Sequence, residues 1–276
     1  LVRCDATKQS SIQRIVRRFS PDYIYYLAAQ SSVRQAWLKP VETIQVNVIG
    51  GVYLLETLRR LNSKARVLIF SSGTTYGATY LSGKSLDEEA CFKPKDPYSV
   101  SKMAIDFLAR LYAHVFGLRV SVVRLANLTG PGQSTLFSVS NFASQIAKME
   151  TSPRSIHIIE VGNLSAKRDY LDIRDGIRAL YLAMKYGRPG EAYNIASGTS
   201  RALKDILQGL IDLSELKGNE INIRRKDSLV PKDEIPRIKL DSSKFRKLTG
   251  WRPKIKFRQT LKDLLDEWRK YWRQAK

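Results

Sequence analysis

The sequence predicts an α/β fold on a mostly parallel sheet, and three features predict it. Short apolar runs recur at 22–29 behind Pro21, at 65–72 and at 118–125, each with the length and apolar density of a parallel strand buried on both faces. Between them the apolar period changes to that of a helix: 41–61 sets Ile44, Val48, Leu55 and Leu58 near one face, and 98–116 does the same with Ile105, Leu108, Leu111 and Val115. Strand, helix and strand in repetition is the pattern of crossover units in a parallel sheet.

Beyond about Leu128 the pattern loosens into loops rich in Gly, Pro, Asn and Ser, with helices expected at 137–150, 174–186, 203–213 and 257–273. The last carries Leu261, Leu264, Leu265, Trp268 and Trp272 at helical spacing, an apolar stripe that packs on a core and needs no cofactor to explain its tryptophans.

A chain of 276 residues holds one large or two small domains with a core that needs no disulfide or metal staple. Cys4 and Cys91 are too few and too far apart for a disulfide framework, and no spaced Cys/His cluster suggests a metal site. No apolar run approaches the roughly 20 residues of a membrane span, and the first residues do not read as a signal peptide. These observations point to a cytoplasmic protein without a membrane partner. Charge is less ordinary: 47 basic residues against 26 acidic ones give a net charge of +21, and residues 217–276 alone hold 19 Lys/Arg against 8 Asp/Glu. No long unbroken basic run occurs, so a generally basic surface with one polyanionic ligand site is preferred over nucleic-acid binding.

Three stretches carry candidate chemistry. Asp96 and Pro97 form an N-cap and first helical residue, which places Tyr98 in the first turn and Lys102 on the same face four residues later. A phenol is a poor acid or base at neutral pH, and a nearby ammonium favours its phenolate; an incidental Tyr/Lys spacing is the ordinary alternative. Ser71, Ser72, Thr74 and Thr75 crowd the end of the 65–72 strand, where ligands bind in parallel sheets, although the same residues serve a plain turn. Leu27-Ala-Ala-Gln-Ser31 is a strand exit of small residues suited to a flat ligand, or simply a strand exit.

In order and spacing these stretches resemble the extended short-chain dehydrogenases/reductases that act on nucleotide-diphosphate sugars. The resemblance runs through Asn47 in Asn-Val-Ile-Gly-Gly, Tyr76-Gly77, Arg124-Leu-Ala-Asn-Leu-Thr-Gly-Pro-Gly-Gln133, the segment Val161 to Arg174, Tyr193-Asn-Ile-Ala-Ser-Gly198 and Thr249-Gly-Trp-Arg-Pro253. It is nearest to the GDP-4-keto-6-deoxymannose reductases and GDP-mannose 4,6-dehydratases. The fold it implies is a Rossmann-like doubly wound parallel sheet, N-terminally incomplete, over residues 1–128 with 164–197 returning to it. A smaller α/β substrate-binding lobe is expected over 129–276.

The resemblance implies catalytic roles for Ser72, Tyr98 and Lys102, with Tyr98 protonating a C4 ketone, Ser72 holding the same oxygen, and Lys102 lowering the Tyr98 pKa and holding the nicotinamide ribose. It implies contacts to NADP or NAD from Asp5, Ala28, Ala29, Asn47, Tyr98, Lys102 and Leu125. A GDP-sugar would be held by Ser72, Asn127, Asn163 and Arg168, with Arg168 on the diphosphate, where the alternative is a surface ion pair with Asp169 or Asp172. It also implies a homodimer through helices 41–61 and 98–116. The expected activity is reduction of GDP-4-keto-6-deoxymannose to GDP-rhamnose; the alternatives are a 4-epimerase, a 4,6-dehydratase or, from another class, a silent basic binding module.

Three departures qualify the pattern. Dehydratases carry an acid two positions before the tyrosine of the Tyr-Gly pair, and here that position is Thr74, which argues against water elimination. The glycine-rich turn that places pyrophosphate on a helix N-terminus is not in the sequence; the pattern matches the family from its third strand onward, as in a fragment lacking roughly 50 to 60 residues. The family's Arg-Pro pair is also replaced, within 229–237, by residues among which Arg237 or Lys232 is the expected substitute.

Overall fold

The computed structural model describes residues 1–151, 157–216, 221–230 and 234–275; Lys232 lies outside them. In chain order the elements are α1 (Gln9–Phe19), β1 (Tyr23–Tyr26), α2 (Val33–Leu38), α3 (Pro40–Ile44), a π-helical turn (Gln45–Ile49), α4 (Gly50–Arg60) and β2 (Arg66–Ser72). A 3₁₀ stretch (Gly73–Ser82), α5 (Pro97–Phe116), β3 (Val120–Leu125), β4 (Asn127–Thr129), α6 (Ser138–Met149), β5 (His157–Val161), β6 (Lys167–Asp172) and α7 (Ile173–Tyr186) follow. Then come β7 (Ala192–Ile195), β8 (Ser200–Ala202), α8 (Leu203–Ile211), β9 (Ile221–Arg225), α9 (Ser243–Thr249) and α10 (Phe257–Gln274). They form two compact units, Leu1–Ala126 with Arg178–Ile195 and Leu240–Trp251, and Asn127–Ile177 with Ala196–Lys239 and Arg252–Lys276.

The first unit is built on a parallel sheet of order β1-β2-β3-β7. Val67, Ile69, Val120 and Val122 supply the sheet's side of a core completed by Ile12 and Val16 of α1, Leu54, Leu55 and Leu58 of α4, and Ile105 and Ala109 of α5. Burying each such leucine or isoleucine is worth roughly 1.5–3 kcal/mol. Gly51 allows α4 this close: a Cβ there would stand 2.4 Å from Ile105 Cδ1.

Two expectations need correction here, and a third gains a detail. The run at 22–29 yields only a short strand, β1, which among the described residues pairs with β2 and leaves Tyr23 and Tyr25 61 % and 40 % exposed, where burial on both faces was expected. The expected helix at 41–61 is present: the backbone stays helical from Pro40 to Arg60, with a π turn at Gln45–Ile49, and Asn47 in that turn is buried. In α5 the buried face is Ile105, Ala109 and Ala113, while Leu111 and Val115 are exposed; the helix carries two apolar stripes, and periodicity alone does not say which one faces the sheet.

The second unit holds a sheet of order β4-β6-β8, with β4 parallel and β8 antiparallel to β6, and a parallel pair β5-β9. The expected helices are present as α6, α7, α8 and α10. Leu261, Leu264 and Leu265 of α10 pack on Val139, Phe142 and Ile146 of α6 and Leu207 and Leu210 of α8. Trp268 and Trp272 flank this core and donate their indole N–H groups to Ser140 Oγ at 3.0 Å and Ser144 Oγ at 3.2 Å, which satisfies the polar end of each ring. No helix among the described residues is long and apolar enough to cross a membrane.

Candidate active site

The carboxyl ends of parallel strands are where a sheet of this kind opens to ligands. In the first unit Ser72 closes β2 and pairs in register with Leu125 at the end of β3. The Ser72 hydroxyl accepts from the Thr74 backbone N–H at 3.2 Å and the Thr74 hydroxyl at 3.0 Å. Thr74 thus occupies the place of a dehydratase acid and offers Ser72 only a hydrogen bond. The chain leaves this corner through Gly77, whose φ of +49° and 1.8 Å approach of a built Cβ to the Lys93 carbonyl oxygen exclude any side chain.

Helix α5 begins as its sequence dictates. The Asp96 carboxylate accepts from the Ser99 N–H at 2.8 Å and the Ser99 hydroxyl at 2.7 Å, with Pro97 as the first helical residue. This fixes the start of the helix and therefore the direction of Tyr98. Two bonds then tie the helix to β2: Lys102 Nζ donates to the Phe70 carbonyl at 2.8 Å, and Ser71 Oγ donates to the Lys102 carbonyl at 3.2 Å.

Tyr98 is half-buried, and desolvation pushes its phenol up to about 12, against a hydrogen bond with the Ser72 side chain that acts downward. Burial also pulls Lys102 down to about 8. The ammonium stands 6.0 Å from the Tyr98 ring centroid. Desolvation therefore outweighs any lowering of the Tyr98 pKa by Lys102, whose ammonium donates to the Phe70 carbonyl, and the phenol is held protonated. An ammonium has three donors, and the Phe70 carbonyl takes one.

Asn47 is buried and braces the site. Its side-chain oxygen accepts from the Gln30 N–H at 2.7 Å, while its amide donates to the Gln30 carbonyl at 3.0 Å and to Ser101 Oγ at 2.9 Å. It thereby links the exit of β1 to the helix turn that carries Lys102. Ala28 is exposed and Ala29 half-buried at that exit, small enough for a ring or ribose to approach the backbone. Asp5 is exposed, and its carboxylate accepts from the Thr7 N–H at 3.0 Å and hydroxyl at 2.7 Å, which lowers its pKa.

In the second unit Arg168 donates to Glu234 Oε1 at 2.9 Å and to the Ile235 carbonyl at 2.7 Å, and Asn163 donates to Glu234 Oε2 at 2.6 Å. The ion pair that offsets Arg168 is thus with Glu234 rather than with Asp169 or Asp172. Asp169 accepts from the Ser197 hydroxyl and N–H and the Gly198 N–H, and Asp172 pairs with Arg174 and Thr260. Asn127 pairs in register with Tyr170 and hydrogen-bonds its side chain. Arg237 is exposed, and its backbone bridges to Lys167.

One buried cluster escaped sequence reasoning. Arg124 of β3 is 2 % exposed and makes a two-pronged ion pair with Asp106 of α5, Nε to Oδ2 at 2.8 Å and Nη2 to Oδ1 at 3.1 Å. Its Nη1 donates to Tyr76 Oη at 3.0 Å and to the Glu88 carbonyl at 2.8 Å, and the Tyr76 hydroxyl donates in turn to Asn194 Oδ1 at 2.9 Å. The cluster joins the helix of Tyr98 and Lys102 to the stretch that follows Ser72. An arginine inside the apolar run Val-Ser-Val-Val-Arg-Leu was its visible signal, since a buried charge requires a buried partner.

Comparison with known proteins matches residues 1–264 to the family profile for GDP-mannose 4,6 dehydratase. The chain is 31 % identical over 248 residues to GDP-6-deoxy-D-mannose reductase of Pseudomonas aeruginosa, covering 90 % of this chain and 80 % of that protein. It is 31 % identical over 251 residues to GDP-6-deoxy-D-talose 4-dehydrogenase of Aggregatibacter actinomycetemcomitans, covering 89 % and 79 %. Among solved structures, RMD from Pseudomonas aeruginosa complexed with NADPH superposes with a TM-score of 0.89 at 29 % identity, over 98 % of this chain and 88 % of that one. Profile and relatives agree, and the chain belongs to the GDP-mannose 4,6 dehydratase family within the extended short-chain dehydrogenases/reductases.

Proposed function

We propose that the protein is an NAD(P)H-dependent nucleotide-sugar reductase that converts GDP-4-keto-6-deoxymannose to GDP-rhamnose. The observation that carries this reading is the Ser72–Tyr98 hydroxyl pair beside the Lys102 ammonium, with Thr74 in place of an acid. A nicotinamide cofactor, when bound, supplies the hydride. The residues suit its ribose half: Lys102 has donors to spare, Ala28 and Ala29 leave room, and Leu125 lies beside Ser72.

Reduction of a ketone needs one proton at the carbonyl oxygen, and Tyr98, held protonated by burial, is that donor. Ser72 hydrogen-bonds the same oxygen and positions it. The Lys102 ammonium favours the phenolate left behind. Dehydration would require a further acid/base group, and the Thr74 hydroxyl is a poor one. In the second unit Arg168 binds the diphosphate, exchanging its bond to Glu234 for phosphate oxygens, which match its planar fork. Asn127, Asn163 and Arg237 are assigned to the rest of the substrate, and Asp5 and Asn47 to the dinucleotide.

The protein acts as a homodimer. Val100, Phe107, Leu111 and Val115 form an exposed apolar stripe along α5, 40–61 % exposed, and Val41 in α3 is 81 % exposed, a face that two copies would bury. Light scattering at micromolar concentration is expected to give the dimer mass, and a clean monomer would defeat this assignment. The exposed free thiols of Cys4 and Cys91 suit a reducing, cytoplasmic setting.

The activity is tested by following the loss of NADPH or NADH absorbance with GDP-4-keto-6-deoxymannose and identifying the product's C4 configuration. Tyr98→Phe is expected to reduce turnover by about 10²- to 10⁴-fold. Turnover that survives the substitution would overturn the mechanism.

A further inference from the structure

In the second unit β6 and β8 run antiparallel, with Lys167 opposite Ala202, Arg168 opposite Arg201 and Asp169 opposite Ser200. Directly opposed residues of an antiparallel pair project from the same face with Cβ atoms about 4.5–5.5 Å apart, and like charges in that position destabilise the sheet. Two arginines therefore stand side by side where a sequence chosen for stability alone would avoid them.

Only one of them is neutralised. Glu234 gives Oε1 to Arg168 at 2.9 Å, and its other oxygen is held by Asn163 at 2.6 Å. Arg201 has no carboxylate within 4.0 Å among the described residues. Its contacts are the Phe257 ring, 4.5 Å from Cζ to centroid, and a long bond from Nη1 to the Thr199 carbonyl at 3.4 Å. Asp169 attracts Arg201 through space, but both of its oxygens are committed to the Ser197 and Gly198 turn. Burial disfavours the Arg201 charge more than Asp169 supports it.

Phe257 also faces Tyr170, the next residue on the Arg168 face of β6, with ring centroids 6.1 Å apart. Stacking on an aromatic ring uses the flat face of a guanidinium and leaves its edge donors for a planar or tetrahedral anion.

We propose that Arg201 is a second phosphate-binding residue, so that the diphosphate of the nucleotide sugar is held between the guanidinium groups of Arg168 and Arg201. The proposal rests on the assignment of Arg168 to the diphosphate. A dianion between the two arginines removes their repulsion and gives Arg201 a paired counter-charge, which no side chain among the described residues supplies within 4.0 Å. The competing account is that Arg201 only packs on Phe257.

Titration calorimetry of the protein with GDP and with guanosine separates the two accounts. Arg201→Gln is expected to weaken GDP by about 10- to 100-fold, the range for losing charge-assisted hydrogen bonds, and to leave guanosine binding unchanged. Arg201→Lys keeps the charge without the fork and is expected to lose less. It also serves as the readout if the glutamine variant fails to give a cooperative thermal transition. GDP affinity within twofold of wild type in the folded Arg201 variants, alongside a clear loss in Arg168→Gln, overturns the inference and leaves the reductase reading standing. Unchanged GDP affinity in the Arg168 and Arg201 variants alike overturns the diphosphate assignment itself.

Discussion

Arg124 and Arg168 are both arginines within strands, one in each unit, and their surroundings differ in kind. Arg124 is 2 % exposed, and its donors go to a two-pronged carboxylate, a phenol and a carbonyl. Burial alone would lower its pKa, but the Asp106 carboxylate more than offsets this and holds the charge firmly in place. Arg168 has a side chain 14 % exposed, shares Glu234 with Asn163, and faces a second arginine across the sheet. The first is a closed arrangement that a ligand could enter only at a cost; the second holds its cation with groups a ligand can replace. If Arg168 takes the diphosphate as proposed, the replaceability of a charge's partners, more than its burial, separates a structural charge from one kept for binding.

Substitutions that remove partners along this gradient should rank accordingly. Asp106→Asn leaves Arg124 buried without its carboxylate, and a loss of about 3–5 kcal/mol is expected from urea denaturation; a loss below about 1 kcal/mol would mean the cluster is not closed.

Lys102 comes next, a buried cation with a carbonyl partner, 6 % exposed and pulled down to about 8. Between that value and the 10.5 of an unfolded lysine, the unfolded chain holds more protons, so stability rises with pH. Relative to Lys102→Met, the wild type should gain about 2 kcal/mol between pH 8 and 10, read from unfolding midpoints across that window. Parallel curves for the two proteins would refute the assignment. Above pH 10 the sign reverses, because the Tyr26, Tyr76, Tyr98 and Tyr170 phenols, pushed up to about 12, keep protons that the unfolded chain releases.

Arg168→Gln should cost about 1.5–3 kcal/mol of stability, the range for hydrogen bonds to a charged group, while GDP binding falls. A large stability loss without an affinity change would place Arg168 with Arg124 instead. The smallest effect is expected from Lys244→Ala, which removes a partly exposed pair with Glu191 at 2.6 Å. Under about 1 kcal/mol is expected, diminishing further in 1 M salt.

Much of this was legible in the sequence, for identifiable reasons. Helices α6, α7, α8 and α10 lie close to the positions periodicity gives, and the Asp96-Pro97 cap fixes the start of α5, because these signals are local. Ser72, Tyr98 and Lys102 were legible through order and spacing. The face of α5 that packs inward was not, since Ile105 and Leu111 belong to different apolar stripes and only the sheet decides between them. The direction of the Tyr98 shift was not legible either: i to i+4 spacing gives proximity to Lys102 but says nothing of Phe70, which claims the ammonium. Arg201 was passed over because its meaning depends on the register of β8 against β6, a nonlocal fact.

The exposed apolar stripe along α5 has a practical consequence. Val100, Phe107, Leu111 and Val115 are 40–61 % exposed along it, a face that invites association with a neighbouring molecule. Molecules carrying a net charge of +21 repel one another strongly at low ionic strength, and that repulsion shortens from a range of about 10 Å at 0.1 M salt to about 3 Å at 1 M. Association through the stripe is therefore expected to strengthen as salt rises, and Leu111→Lys in dilute buffer should keep the protein dispersed at concentrations where the wild type in high salt associates.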